Sequence, residues 1–409
     1  MIRHVLKLLW NRRRQSALLV LEVFASFLVA LAVTTFALTL RENRRRPIGY
    51  SWRDVYAVEI DMKTTGDDAF TPEMATQARE CLLALRGMDG VLAAAGTMDA
   101  PFTMGSRTDG FDQEGRYVQS EMDEVTDDLP KVLGIEVIRG RWFGASDDGS
   151  AATPIVINER LGSELFGSSD PVGQKVGDPG GDPRVVVGVV ADYKKHGELS
   201  ASGSFYFRRK LAGATDRPPR VLLVKVTPAI GGSFEQDVVS RLQKVAPAWS
   251  FEAQPLARLR ETSQQLRMMP VVVLSTIAAF LMAMVGLGLF GVLWQNVTAR
   301  TAEIGLRRAQ GATAGSVALQ ILLEVVVLTA AGVGLGALLA MQLPVLGLTS
   351  SGLGIVETLG EVFGGATGTS FAGAIAVSAL MLHALTAACA LYPGWLASRI
   401  APAAALRHD

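Results

Sequence analysis

The sequence predicts an α-helical membrane protein with four transmembrane helices and a mixed α/β extracytoplasmic domain inserted between helices 1 and 2. Three observations carry this prediction. Apolar stretches at 17–40, 269–294, 317–343 and 371–391 each reach the roughly 20 residues that a helix needs to cross a bilayer. The mostly polar residues 41–267 separate the first stretch from the second, whereas the last three are crowded toward the C-terminus. Hydrophobic residues make up 49% of the chain and its mean hydropathy is +0.29, while the 39 basic and 39 acidic residues fall mostly outside the four stretches.

In chain order, residues 1–14 form a cytoplasmic N-terminal segment. Ile2, Val5, Leu6 and Leu9 recur there at helical spacing while Arg3, Lys7 and Asn11 fall elsewhere. That pattern fits an amphipathic helix on the inner membrane face, and equally a basic topology signal with no further role. Transmembrane helix 1 spans 15–40 and carries Glu22 near its cytoplasmic end, where interhelical hydrogen bonding or snorkelling outweighs an ion-relay role. It is longer than a signal-peptide core and no small-x-small cleavage site follows it, so it is expected to stay as an anchor.

The inserted domain spans 41–267. Thr71-Pro72-Glu73 opens a helix over 71–86, and Asn158 caps another over 159–166. A third helix fits 234–245, and β-rich runs stand at 135–138, 155–157, 185–190 and 221–226. The stretches 147–153 and 177–183, rich in Gly, Asp and Pro, read as exposed turns. A domain of this length builds its own core and needs no disulfide; Cys81 within it and Cys389 in the last span fall in different compartments and cannot pair.

Transmembrane helices 2, 3 and 4 occupy 268–297, 317–343 and 371–392, joined by a segment over 298–316 and a link over 344–370, and a tail of 393–409 follows. Gly286, Gly288 and Gly291 in helix 2 and Gly332, Gly334 and Gly336 in helix 3 are candidate packing positions, because small residues let helices approach closely in lipid. Glu324 in helix 3 and His383 in helix 4 are, with Glu22, the intramembrane polar candidates, for which interhelical hydrogen bonding outweighs a direct functional role.

Basic residues place the termini. Arg3, Lys7 and Arg12 to Arg14 precede helix 1, Arg300, Arg307 and Arg308 lie between helices 2 and 3, and Arg399 and Arg407 follow helix 4, whereas 344–370 has neither Lys nor Arg. The positive-inside rule then puts both termini and 298–316 in the cytoplasm, with the insert and 344–370 outside. Arg41, Arg44, Arg45 and Arg46 oppose this for helix 1, and the other three helices decide the orientation.

Several chemistries find no support. There is no Gly-x-x-x-x-Gly-Lys-Ser/Thr loop, so the chain is not expected to be an enzyme that hydrolyses nucleotide by itself. His4, His196, His383 and His408 are scattered, and neither His-Glu-x-x-His nor Cys-x-x-Cys occurs, so no metal site and no catalytic residue is expected.

The segment Arg300-Thr301-Ala302-Glu303-Ile304-Gly305-Leu306-Arg307-Arg308-Ala309-Gln310-Gly311-Ala312, followed by Gln320 and Glu324, resembles the signature of FtsX/MacB-type ABC transporter permeases. So does the ending from Tyr392-Pro393 through Arg399 to Pro402-Ala403-Ala404-Ala405-Leu406-Arg407. In the insert, Leu133-Gly134-Ile135, Gly140-Arg141-Trp142-Phe143, Ile155-Val156-Ile157-Asn158-Glu159, Leu165-Phe166-Gly167, Pro171-Val172-Gly173 and Val187-Gly188-Val189-Val190 are similar to the MacB-like periplasmic core domain.

The resemblance implies a multi-pass subunit of the bacterial inner membrane, coupling ATP hydrolysis by a separate cytoplasmic ABC ATPase to movement of its periplasmic domain. It implies export or extraction of a lipoprotein, peptide or amphipathic small molecule, a homodimer or a heterodimer with a related permease, and in some members a periplasmic adaptor. No cofactor belongs to this chain; ATP and Mg belong to the partner ATPase. Membrane lipid is the remaining partner, and no nucleic acid is expected. The alternative is an FtsX-like regulatory scaffold that controls a cell-wall hydrolase or senses antimicrobial peptides. The family's cytoplasmic link contacts the motor, which makes Glu303, Arg307, Arg308 and Gly311 the coupling candidates. Read as residues alone, Glu303 and Arg307 stand four apart on one helical face in the order the helix dipole prefers, and Gly311 ends the helix.

Overall fold

A computed structural model of the chain describes residues 13–62, 71–113, 116–177, 183–210, 217–228, 230–299, 301–345 and 368–399. It divides into two compact units, an inserted unit Asn43–Arg267 and a helical unit made of the segments on either side. Residues 1–12, most of the link 344–370 and the tail beyond 399 lie outside the described residues, and with them the amphipathic reading of the N-terminus.

The elements run α1 (Arg13–Arg45), β1 (Val55–Asp61), α2 (Pro72–Arg86), β2 (Val91–Thr97), β3 (Arg107–Gln113), β4 (Arg116–Val125), α3 (Leu129–Leu133), β5 (Val137–Gly140) and β6 (Thr153–Asn158). There follow α4 (Glu159–Phe166), β7 (Lys175–Val176), β8 (Arg184–Val190), β9 (Phe205–Arg209), β10 (Val221–Val226), α5 (Phe234–Val245) and β11 (Ser250–Pro255). The chain closes with α6 (Leu256–Ala299), α7 (Thr301–Ala309), α8 (Ala314–Val345) and α9 (Gly368–Ser398).

The inserted unit is a mixed α/β domain built on one sheet of order β11-β1-β10-β2-β4-β9-β6-β8-β5, with β3 added to β4 and β7 to β8. Among the described residues, only β4 with β9 and β6 with β8 pair in parallel. The apolar run of β10 follows from burial on both faces: Leu222 and Val224 join the core under α2 and α5, while Val221 and Leu223 join the core that holds α3. β9 divides in the same way, Phe205 and Phe207 facing that second core and Tyr206 a third one formed with Leu161 and Leu165 of α4.

Helices α2, α4 and α5 stand where the sequence places them, and Asn158 caps α4 by accepting from Leu161 N at 3.0 Å. Thr71 occupies the N-cap of α2 with Pro72 in its first turn, and its hydroxyl bonds the Glu73 carboxylate, which that bond keeps below its ordinary pKa. One local expectation is corrected. The strand expected over 135–138 begins only at Val137 and runs to Gly140, since the chain is still turning out of α3 at Gly134; Ile135 is buried core instead.

Among the described residues, four helices are long and apolar enough to cross a membrane. All overrun the apolar stretches. α1 continues through Arg41 and Arg44 to Arg45, and α6 has 44 residues, about 66 Å at 1.5 Å per residue against the roughly 30 Å of a hydrocarbon core. The first part of α6, up to Arg267, belongs to the inserted unit. Leu19, Val23, Phe27 and Leu31 of α1 form the bundle core with Val285 and Leu289 of α6, Val333 and Ala340 of α8, and Ala374 and Leu382 of α9.

Candidate functional site

α7 is short, and its placement comes from one buried side. Ile304 packs with Val297, Val317 and Ala397, which fixes the helix against the ends of α6, α8 and α9, while Arg307 and Arg308 remain half-exposed and Leu306 is exposed. The turn that ends α7 needs glycine: Gly311 has φ +101°, and Ala312 N donates to Arg307 O at 3.0 Å. Thr313 then starts α8, its hydroxyl accepting from Ser316 N at 3.2 Å. A glycine stop and a threonine cap two residues apart make a tight elbow between a charged helix and a span.

Arg307 Nη1 donates to Gln320 Oε1 at 3.0 Å, and Gln320 Nε2 reaches Glu324 Oε1 at 3.4 Å. Three residues of the sequence motif thus form one relay across the elbow. Glu303 stands in the first turn of α7, and the pairing expected with Arg307 falls outside the described side chains.

The other intramembrane candidates have separate surroundings. Glu22 is half-buried and faces Gly288, where an added Cβ would stand 3.0 Å from its Oε2. His383 Nδ1 pairs with the Ala379 carbonyl of its own helix at 2.8 Å. At Gly332 an added Cβ would stand 2.8 Å from Val23 and 2.9 Å from the Val20 carbonyl, at Gly336 it would overlap the Phe27 ring, and at Gly286 it would touch Cys389 Sγ at 3.4 Å. Phe290 and Trp294 of α6 lie against Tyr392 of α9, with Trp395 beside it and the Arg399 guanidinium 4.0 Å over the Trp395 ring. Sequence reasoning missed this exposed group, although aromatic residues near the end of a span are a recognisable interface signal.

In the inserted unit a cleft of about 600 Å3 opens between α2 and the segments around Asp127 and Arg209, with Leu82, Leu83, Pro218 and Pro219 as its apolar wall. Arg209 is buried and forks onto Asp127 at 2.7 and 2.8 Å and onto Asp148 at 2.6 Å, while Arg86 bridges Asp128 and the Ala94 carbonyl. Those acids hold the Arg209 guanidinium above its ordinary pKa.

Residues 16–238 match the family profile described as MacB-like periplasmic core domain, and residues 275–402 that described as FtsX-like permease C-terminal. The chain belongs to the FtsX/MacB family of ABC transporter permeases. It is 26% identical over 234 residues to the uncharacterized ABC transporter permease YknZ of Bacillus subtilis, covering 54% of this chain and 58% of that one. Over 234 residues it is 26% identical to the macrolide export ATP-binding/permease protein MacB of Bordetella avium, covering 56% and 36%. With the pyoverdine export ATP-binding/permease protein PvdT of Pseudomonas syringae the identity is 27% over 288 residues, covering 69% and 42%. The match thus spans less than two thirds of the length of each of these relatives.

Sequence reasoning also passed over residues 192–200 of this permease. Lys194 and Lys195 there are both buried, which is rare for lysine and was signalled only by their position directly after the apolar strand β8.

Proposed function

We propose that the chain couples ATP hydrolysis by a separate cytoplasmic ABC ATPase to movement of the inserted unit, and so drives export or extraction of an amphipathic cargo. The observation that carries this reading is the elbow at Gly311. α7 presents Arg307 and Arg308 on a short helix, and the Arg307–Gln320–Glu324 relay ties its end directly to span α8. A push on such a helix is transmitted to a span rather than absorbed in a loop. In this reading both termini and α7 face the cytoplasm of a bacterial inner membrane, and the inserted unit lies outside.

A second copy is part of the proposal. Val273, Ile277, Phe280, Met284, Leu287 and Trp294 are exposed on α6 at alternating spacings that keep one stripe, the geometry of a helix seam. The mixed apolar and charged lining of the cleft at Arg209 suits a cargo that is itself amphipathic, and this favours transport over a purely regulatory scaffold. ATP and Mg are handled by the partner ATPase, and an adaptor outside the membrane completes the path in an efflux assembly.

Purification of the full chain alone and together with an ABC ATPase from the same genome tests this. The expected result is stable co-purification and ATP turnover only in the complex. Turnover by the chain alone, or failure of the two proteins to associate, contradicts the proposal.

A further inference from the structure

Segment 192–200 touches both of the helices that lead from the inserted unit into the spans, and every contact lies inside the inserted unit. At one end, Lys194 Nζ donates to the Asn43 carbonyl at 2.8 Å and to the Arg46 carbonyl at 3.5 Å. Asn43 lies in the last turn of α1, where intrahelical donors run out, and its carbonyl also accepts from Arg46 N at 3.2 Å; Arg46 follows the helix directly. Asn43 Nδ2 returns a bond to the Leu199 carbonyl at 3.1 Å, and Lys194 N donates to Ile48 O at 3.0 Å. At the other end, Glu198 accepts from Arg260 Nε at 2.6 Å and from Gln264 Nε2 at 3.2 Å, both on the first turns of α6. Arg260 also stacks 4.5 Å over the Trp52 ring.

The middle of the segment is anchored in the domain. Tyr193 is buried among Tyr50, Phe205 and Phe207, Lys195 pairs with Asp99 at 3.0 Å, and Phe102 N donates to the Lys195 carbonyl at 2.7 Å. His196 bonds the Thr103 carbonyl at 2.8 Å. Two glycines make the close approach feasible. Gly49, at φ +86°, passes so near Asp192 that an added Cβ would overlap its carbonyl, and at Gly197 an added Cβ would lie 2.8 Å from the Phe102 ring.

A buried ammonium costs free energy, and burial lowers the pKa of Lys194. A packing role needs no charge here, since methionine has a similar stem. What the ammonium adds is a directed bond from the domain to the end of a span helix, 151 residues away in sequence. Together with Glu198 four residues later, it gives one rigid segment a grip on the exit of α1 and the entry of α6.

We propose that segment 192–200 is a clamp that locks the end of α1 and the start of α6 to the inserted unit, with Lys194 and Glu198 as its positioning residues. The clamp rests on the coupling function proposed above and deepens it: helix movement reaches the inserted unit through these two grips.

The test uses the full chain with its partner ATPase, reconstituted in phospholipid nanodiscs, and compares hydrogen exchange in the inserted unit with ATP and Mg against ADP and Mg. The wild-type complex is expected to show an ATP-dependent change in exchange across 192–200 and the sheet behind it. Lys194→Met and Arg260→Glu are expected to keep ATPase association and most ATP turnover, and to lose more than half of that change. The swapped double variant Glu198→Arg with Arg260→Glu restores the pair and is expected to recover it, which separates coupling from simple misfolding. Melting temperature is followed in parallel. An undiminished ATP response in both single variants overturns the clamp while leaving the coupling function intact. So does loss in Arg260→Glu that the swap fails to recover while Lys194→Met responds normally. A wild-type complex with no response outside the helices overturns the coupling reading and the clamp with it.

Discussion

Three buried cations of the inserted unit meet acids from other parts of the chain: Arg209 meets Asp127 and Asp148, Arg184 meets Asp109, and Lys195 meets Asp99. In the helical unit the close contacts instead fall where side chains are missing. Gly332 and Gly336 of α8 lie against Val23 and Phe27 of α1, and Gly288 of α6 lies against Glu22. The difference follows from solvent. Water-driven burial selects strands apolar on both faces and penalises every unpaired charge, whereas helices in lipid gain little from burying apolar surface and associate through backbone proximity. The inserted unit is therefore sensitive to charge as well as to volume at its own close glycines, and the helical unit mainly to volume.

The largest expected effect is on volume. Gly336→Leu places a side chain into the Phe27 ring and should abolish assembly of the helical unit, read as loss of monodisperse protein in detergent. Gly334→Leu, two residues away, meets nothing within 4 Å and should leave yield and melting temperature unchanged. Equal tolerance of the two variants would break the contrast between the units.

A smaller effect is expected from charge. Asp123 is fully buried, accepting from the Thr97 hydroxyl and from Met98 N at 3.2 Å, and burial raises its pKa from 3.8 to about 7 despite nearby Lys195. The folded chain holds this proton more tightly than the unfolded one, so stability is greatest at low pH in this respect and falls as pH rises from about 4 to about 7. Asp123→Asn can accept from Met98 N and donate to Thr97, and should remove that fall. Exchange protection of β4, followed between pH 4 and pH 8 in steps of about one unit, checks it. A wild-type profile flat across that window contradicts the assignment.

How much was legible in the sequence follows the same division. The four spans can be read because about 20 apolar residues in a row have few other uses in a chain. β10 and β8 are visible as apolar runs, since they are buried on both faces. β3 and β4 were not found: they form a hairpin whose outer face carries Asp112, Gln119 and Glu121, so the polar residues hide the alternation. β2, Val-Leu-Ala-Ala-Ala-Gly-Thr, has the composition of a helix and becomes a strand only because β10 and β4 flank it. At the candidate site, Arg307, Gln320 and Glu324 are legible as a motif, but their relay depends on the elbow. The Lys194 and Glu198 contacts join segments far apart in sequence, and no local pattern reports them.

The smallest effect on stability is expected where the effect on function is greatest. Reversing charge at Glu303 and Arg307 together costs the Arg307 bond to Gln320, about 1 kcal/mol, too little to unfold the chain. Co-purification of the partner ATPase with Glu303→Lys/Arg307→Glu, alongside a melting curve, therefore isolates the surface of α7. Loss of the ATPase with an unchanged melting temperature is the expected outcome. Retention of the ATPase together with wild-type transport would show that α7 is an ordinary solvated link and that the motor acts elsewhere.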